Sequence, residues 1–257
     1  MDSSVNTLRI ATYNIHKGVR GVGLQRRLEI HNLVHAVEQF DADIVCLQEV
    51  RRHHKHLAAY FKHWPDQPQA QFLAPEGYEA VYRTNAFTTH GEHGNAVLSR
   101  WPVVKHQHED MSDHALEQRG LLHVEVDFQT ESQAQSLHIV VLHLGLIPAS
   151  RVRQVRQLGL FIEREIPNDA PLVVAGDFND WGQRLRLMMN GFGLKSWQPS
   201  QHLTFPAQLP LVQLDYVYAR GMQPTGVHIP RGRVWRRMSD HLPLIAEFAL
   251  PDVNQPA

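Results

Sequence analysis

Residues 171–181 read PLVVAGDFNDW: a run of apolar side chains, Leu172 to Ala175, halts at Gly176 and gives way to Asp177, Asn179 and Asp180. A short apolar run without polar alternation marks a strand buried on both faces, and the Asp-Phe-Asn-Asp that follows is turn chemistry. The arrangement recurs outward along the chain. Leu8 to Ile15 reads as a strand that ends around Asn14, and Ala42 to Gln48 (ADIVCLQ) runs into Glu49. Leu137 to Leu144 carries His143, Leu211 to Tyr218 carries Asp215, and Leu242 to Phe248 follows Asp240 and His241. Further strands are expected at Ala96 to Ser99 and Leu121 to Phe128. Mostly helical spacing of Leu28, Ile30, Leu33, Val34, Val37 and Phe40 predicts one helix, and Val152, Val155, Leu158 and Ile162 predict another. Strands alternating with helices imply a mixed α/β domain.

The chain has 257 residues, 43% hydrophobic and 20% charged. That composition excludes intrinsic disorder and low-complexity architectures. The stretch His63 to Pro75, with its prolines and glutamines, reads as loop and is too short for a domain boundary. We therefore expect a single domain over 1–257, with a core at about 8–249 and a tail at 250–257. Lys and Arg number 25 against 26 Asp and Glu, a net charge of −1. Sequence-blind DNA binding usually needs a basic surface to displace counterions, so the balance counts against a general nuclease. The single cysteine, Cys46, excludes a disulfide framework and a cysteine-rich zinc site; mid-strand, it reads as core. The polar opening residues lack a secretory pattern, and no apolar run approaches the roughly 20 residues of a membrane span. The expectation is a soluble, cytoplasmic monomer.

The polar residues with chemistry to offer stand where strands stop. Glu49, Asp240 and Asn14 present hard oxygen donors, which suit Mg²⁺ or Mn²⁺ rather than zinc. His143 and His241 can exchange protons near neutral pH, and Asp215 can orient an imidazole. Asp177 and Asn179, two apart on a turn, can hold a water or a phosphoryl oxygen. Together they fit metal-assisted attack of water on a phosphate ester. Singly, each has a structural explanation: an Asx turn at Asp177, a turn cap at Asp240, a solvated Glu49, a hydrogen-bonded core His143. Six such positions at six strand ends favour the joint chemical reading.

The ordered set TYN, QE, GNAVLSR, HLG, GDFN, LDY and SDH resembles the endonuclease/exonuclease/phosphatase superfamily, the DNase I-like proteins, and looks most like its small uncharacterised bacterial branch. The resemblance runs from about Leu8 to Phe248. It implies a four-layer α/β/β/α sandwich of two mixed sheets flanked by helices. It implies a Mg²⁺-dependent phosphoesterase (Mn²⁺ being an alternative ion), a phosphodiesterase first. Glu49 would be the principal metal ligand, with Asn14 and Asp240 completing the metal and phosphate shell. His143, Asp177, Asn179, Asp215 and His241 would be catalytic, and Arg119 would lie near the phosphate or form a salt bridge. Substrates open to such a site are nucleic acid, phospholipid or another small phosphodiester. A non-catalytic phosphate- or lipid-binding module on the same fold is the alternative.

Two departures stand out. His16 occupies a place where abasic-site endonucleases carry a metal-holding aspartate. No glutamate is evident as partner to His143; Glu92 falls near the right stretch but reads as loop. Gly18, Gly21 and Gly23 form a glycine-rich connection beside Asn14, without a phosphate-loop lysine. His53, His54 and His56 read as a solvated helix end. Arg231, Arg233, Arg236 and Arg237 with Trp235 either steer an anionic substrate or form a charged edge strand. Trp181 would flank the pocket or anchor its loop.

Overall fold

Alternate residues of a strand face opposite sides, and that period of two decides what each strand packs against. The computed structural model describes residues 7–21, 23–129, 134–197 and 201–249. Among them the strands are β1 (Thr7–Asn14), β2 (Val19–Arg20), β3 (Arg27–Leu28), β4 (Ile44–Val50), β5 (Glu79–Thr88), β6 (Gly91–Ser99) and β7 (Val103–Asp110). Then come β8 (Gly120–Gln129), β9 (Ala134–His143), β10 (Leu172–Asp177), β11 (Asp215–Arg220), β12 (Gln223–His228) and β13 (Leu244–Ala249). The helices are α1 (Ile30–Phe40), α2 (Lys55–Tyr60), α3 (Gln69–Leu73), α4 (Pro148–Glu165), α5 (Arg186–Gly191) and α6 (Trp235–Met238).

Six strands form one sheet in the order β12-β13-β1-β4-β6-β5, and five form a second in the order β11-β10-β9-β8-β7. Each sheet holds one parallel pair, β1 with β4 and β9 with β10, among antiparallel neighbours. A parallel pair needs a crossover, and α1 and α4 supply the two. Leu8 and Ile10 of β1 meet Ile139 and Val141 of β9 and Val173 and Ala175 of β10 in the core between the sheets. The other face of the first sheet, Ala11, Tyr13, Val45 and Leu47, packs under Leu33, Val37 and Phe40 of α1 and Leu73 of α3. The other face of the second, Val140, Leu142, Val174 and Tyr218, packs under Val155, Leu158 and Phe161 of α4 and Met189 of α5. Each fully buried large apolar side chain stabilises this arrangement by about 1.5–3 kcal/mol. The layers run α, β, β, α, the sandwich expected from the resemblance.

Four local expectations need correction. The stretch 63–75 contains α3, whose Gln69, Ala70 and Leu73 are buried. The strand expected over Leu211–Tyr218 starts only at Asp215. The basic run before Asp240 is no edge strand: Trp235–Met238 is a helical turn, and the Trp235 ring stacks on Phe40. Glu92 is not in a loop but in β6, buried, and accepts a hydrogen bond from Thr84 Oγ1 at 2.7 Å. Cys46 is a buried core residue. The tail at 250–257 lies outside the described residues. No helix among the described residues is long and apolar enough to cross a membrane.

The outer face of the second sheet contains a buried histidine pair. His123 Nε2 and His138 Nδ1 lie 3.0 Å apart, and the His123 ring meets Phe161 of α4 edge-on at 5.6 Å. Burial lowers the proton affinity of both, and His138 lowers that of His123 further, to about 4. Between about pH 4 and 6.5 the unfolded chain therefore binds more protons than the native one. Stability is full above that window and falls as pH drops through it, by on the order of 3 kcal/mol for His123. Urea denaturation at pH 7.5 and pH 4.5 should show this fall, and His123→Leu should reduce it by at least about 1 kcal/mol. An identical pH dependence in the variant would refute the assignment.

Candidate active site

The inward-facing rows of the central strands end in polar residues at one rim. On β1 the row Leu8, Ile10, Thr12 ends in Asn14; on β9 Ile139, Val141 ends in His143; on β10 Val173, Ala175 ends in Asp177. On β11, which runs the other way, Asp215 opens the row that continues in Val217 and Ala219. The ladder sets Asp177 between His143 on one side and Asp215 on the other. The same periodicity that builds the core thus delivers the site.

Asp177 is the centre. Its Oδ2 accepts from Asn14 Nδ2 at 3.2 Å, across the gap between the two sheets, and stands 3.4 Å from His143 Nε2 and 3.6 Å from His241 Nε2. Its Oδ1 accepts the Asn179 backbone N–H at 2.9 Å. Asn179 Nδ2 donates to the Leu144 carbonyl at 2.9 Å, which fixes the turn onto the end of β9. His241 Nδ1 bonds Asp215 Oδ2 at 2.8 Å; the carboxylate can only accept, so Nδ1 carries the proton and Nε2 faces Asp177.

Environment divides the two histidines. Burial, reinforced by Arg119, holds His143 well below its ordinary proton affinity, so its imidazole is neutral. Burial acts in the same sense on His241, but Asp215 and Asp177 outweigh it and raise its affinity, giving an imidazolium. Asp177 moves up, chiefly through burial, with Asp215 adding to the shift and His241 opposing it.

On the side of the first sheet, Glu49 and Asp240 converge on one imidazole: His16 Nδ1 is 3.8 Å from Glu49 Oε2 and 3.3 Å from Asp240 Oδ1. Asn14 Oδ1 accepts the His16 backbone N–H at 3.1 Å. Lys17 Nζ donates to Glu49 Oε2 at 2.6 Å. Burial would raise the Glu49 carboxyl, but Lys17, through its charge and its hydrogen bond, overrides it and holds it far below the usual carboxylate range. Two carboxylates and an amide oxygen around a point that the Lys17 ammonium and the His16 ring already approach make a donor set that fits a hard divalent ion. Asp177, Asp215 and His241 also present ligand atoms within 4.8 Å of one another. The hydrogen bond between His241 and Asp215, with Asp177 close to the other ring nitrogen, suits proton handling better than metal holding.

Arg119 is committed to protein partners, Glu117 Oε1 at 3.1 Å and the Leu144 carbonyl at 3.2 Å, while its charge acts on His143. Glu92 pairs with Thr84 and lies near His53, not His143. Trp181 is exposed and meets Phe205 edge-on; Phe205 in turn lies over His241 with ring centroids 4.9 Å apart. Sequence reasoning assigned nothing to Lys17, His93 or Asn95. Burial and Lys17 push His93 down to about 4. Asn95 ties β6 to the second sheet through Gly120 and Val141 carbonyls at 2.9 and 3.2 Å. The alternation His93, Asn95, Val97 was the available signal for the last two.

A model of the Endonuclease/Exonuclease/phosphatase family matches residues 11–241. The chain belongs to this family. Its members are generally phosphoesterase hydrolases and typically use a divalent metal ion. The uncharacterized protein YbhP of Escherichia coli strain K12 is 36% identical over 250 residues, covering 95% of this chain and 97% of YbhP. Among solved structures, a functionally unknown conserved protein of Enterococcus faecalis V583 is similar with a TM-score of 0.73 at 20% identity, covering 95% of this chain and 100% of that one. The human nocturnin catalytic domain with bound sulfate anion is similar with a TM-score of 0.68 at 18% identity, covering 95% and 94%. At these identities the two structures establish the DNase I-like fold.

Gly176 sets the direction of Asp177. It has φ +148°, and a Cβ there would lie 1.9 Å from the Leu142 carbonyl oxygen on the adjacent strand. Gly176→Ala should therefore cost at least about 2 kcal/mol, through backbone strain and a clash inside a central ladder. Gly191, at the end of α5, has open space around it; Gly191→Ala should be neutral or gain up to about 1 kcal/mol. Chemical denaturation of the two variants side by side checks both, and equal effects would contradict the reading.

Proposed function

We propose that this phosphoesterase is a divalent-metal-dependent phosphodiesterase, with Mg²⁺ as the first candidate ion and Mn²⁺ as the second. The observation that carries the reading is the meeting of two groups at one rim: the oxygen donors Glu49, Asp240 and Asn14, and the Asp177–His143–His241–Asp215 cluster. A divalent ion held by Glu49, Asp240 and Asn14 would polarise a phosphoryl oxygen and neutralise charge developing on the leaving oxygen.

The remaining work falls to side chains of this chain. Asp177, fixed by Asn14 and the Asn179 backbone N–H, orients the attacking water and accepts its proton. His241, held by Asp215 in one tautomer, keeps Nε2 within reach of that carboxylate and of the phosphoryl group. Neutral His143 offers Nε2–H to the phosphoryl oxygens from the other side. Arg119, anchored by Glu117, adds positive potential behind His143. The substrate classes the reading covers are nucleic acid, phospholipid and small phosphodiesters.

Hydrolysis of bis(p-nitrophenyl) phosphate tests the proposal. Turnover should require Mg²⁺ or Mn²⁺ and stop with EDTA. His241→Ala and Asp177→Asn should each lower kcat by about 10²-fold or more, the scale of a lost acid–base or positioning group. Glu49→Gln should mainly raise the metal concentration needed for half-maximal rate. Full activity in both His241→Ala and Asp177→Asn would overturn the mechanism. Absent turnover with retained phosphate binding would favour the non-catalytic binding module.

A further inference from the structure

The β2–β3 hairpin and α6 border an open surface cavity of about 650 Å³. Arg20, Arg26, Arg27 and Arg237 line it, with Gln208 and a single carboxylate, Glu29. Some arginines elsewhere meet acids, as Arg9 does Glu247, Arg100 Asp43, Arg153 Asp113 and Arg164 Glu109, while others, such as Arg83, Arg151 and Arg220, bond neutral groups. The four around the cavity have no carboxylate pairing of that kind among the described residues. Glu29 itself is buried and engaged by Asn32 Nδ2 at 2.8 Å. Arg26, Arg27 and Arg237 are exposed and Arg20 is half-buried, and four guanidinium groups around one space give it a positive potential that attracts anions.

The walls are tied together and to the site. Arg20 and Gln208 both donate to the Arg236 carbonyl, which joins the hairpin, α6 and the loop before β11. Ala207, next to Gln208, donates its N–H to the Asp240 carbonyl at 2.6 Å. Arg237 precedes Asp240 by three residues, so their Cα atoms are at most roughly 11 Å apart. Planar guanidinium forks match phosphate oxygens two at a time.

We propose that this cavity is a second phosphate-binding site, which holds another phosphate group of the molecule whose ester is cleaved at Asp177. The inference rests on the phosphodiesterase reading and narrows it to substrates that carry a phosphate beyond the scissile one. That phosphate belongs either to a nucleotide or to a small non-nucleotide diester.

Two matched pairs of substrates separate these sources: thymidylyl-(3′→5′)-thymidine with and without a 5′-phosphate, and glycerophosphoinositol with and without a 4-phosphate. In at least one pair the added phosphate should raise kcat/KM by about tenfold, through KM, equivalent to about 1.4 kcal/mol. The double variant Arg26→Gln/Arg27→Gln should abolish that advantage, with unchanged Tm and with hydrolysis of bis(p-nitrophenyl) phosphate retained. Arg237→Gln, on a separate element, should reproduce the loss. A second readout stands apart from catalysis: calorimetric binding of inorganic pyrophosphate in EDTA should weaken by about tenfold in the same variants. Missing turnover on every substrate would defeat the phosphodiesterase reading and leave the pyrophosphate result to decide the cavity. Equal pyrophosphate affinity in wild type and variants, or a phosphate advantage that survives both substitutions, would overturn the second site.

Discussion

A carboxylate with 1% exposure at the end of a central strand must be satisfied where it stands, and Asp177 is satisfied by both sheets at once. Asn14 reaches it from β1, His143 from β9, His241 from the approach to β13, and Asn179 from its own turn. Removing one partner of a buried ionic cluster typically costs about 3–5 kcal/mol, because the charge left behind has no water to turn to. The rim where the sheets would otherwise splay is therefore clasped by the groups to which the proposed mechanism gives the chemistry. Packing fixes where those groups stand, and the charges in turn fix how the sheets meet there.

The backbone around the cluster is under tension. Six non-glycine residues among those described have positive φ, and four of them, His16, Lys17, Glu49 and Asn179, belong to the site. Each such conformation costs of order 1–3 kcal/mol and persists only where its surroundings over-determine it. At Glu49 the irregularity in the pairing of β4 with β6, between Leu47 and Val50, goes with the turn that brings the carboxylate toward Lys17 and His16. At Asn179 the left-handed turn lets one residue hold both Asp177 and Leu144.

The central strands, and the convergence of the candidate site residues at one rim, were legible because one rule governs both. Leu8, Ile10, Thr12, Asn14 and Val173, Ala175, Asp177 are single rows in which an apolar core gives way to chemistry at the last position. The strands that escaped notice, β2, β3, β5, β7 and β12, all lie at sheet edges, the first two as a two-stranded sheet of their own. An edge strand is wetted along one side, so YRTN in β5 and KHQHED in β7 carry no continuous apolar signal. Arg231 to Arg237 suggested an edge strand by charge alone; stacking of Trp235 on Phe40 decided for a helical turn. Lys17 was invisible for a different reason. A lysine in a glycine-bearing loop has no periodicity to betray it, and only the fold shows that it reaches Glu49.

The pairing of β1 with β13 joins Thr7 to Ala249, residues at opposite ends of the described chain. Ladders of such long sequence separation form late, because the intervening loop must close before any bond rewards it. During synthesis β1 and β4 can meet early through α1, as can β9 and β10 through α4. His241 and Asp240 reach the rim only when the final strand docks against the first. Until then the nascent polypeptide holds Asp177 without its imidazolium and Glu49 without its companion carboxylate. The proposed catalytic rim thus takes its final form only when the last described strand, β13, pairs with the first, β1.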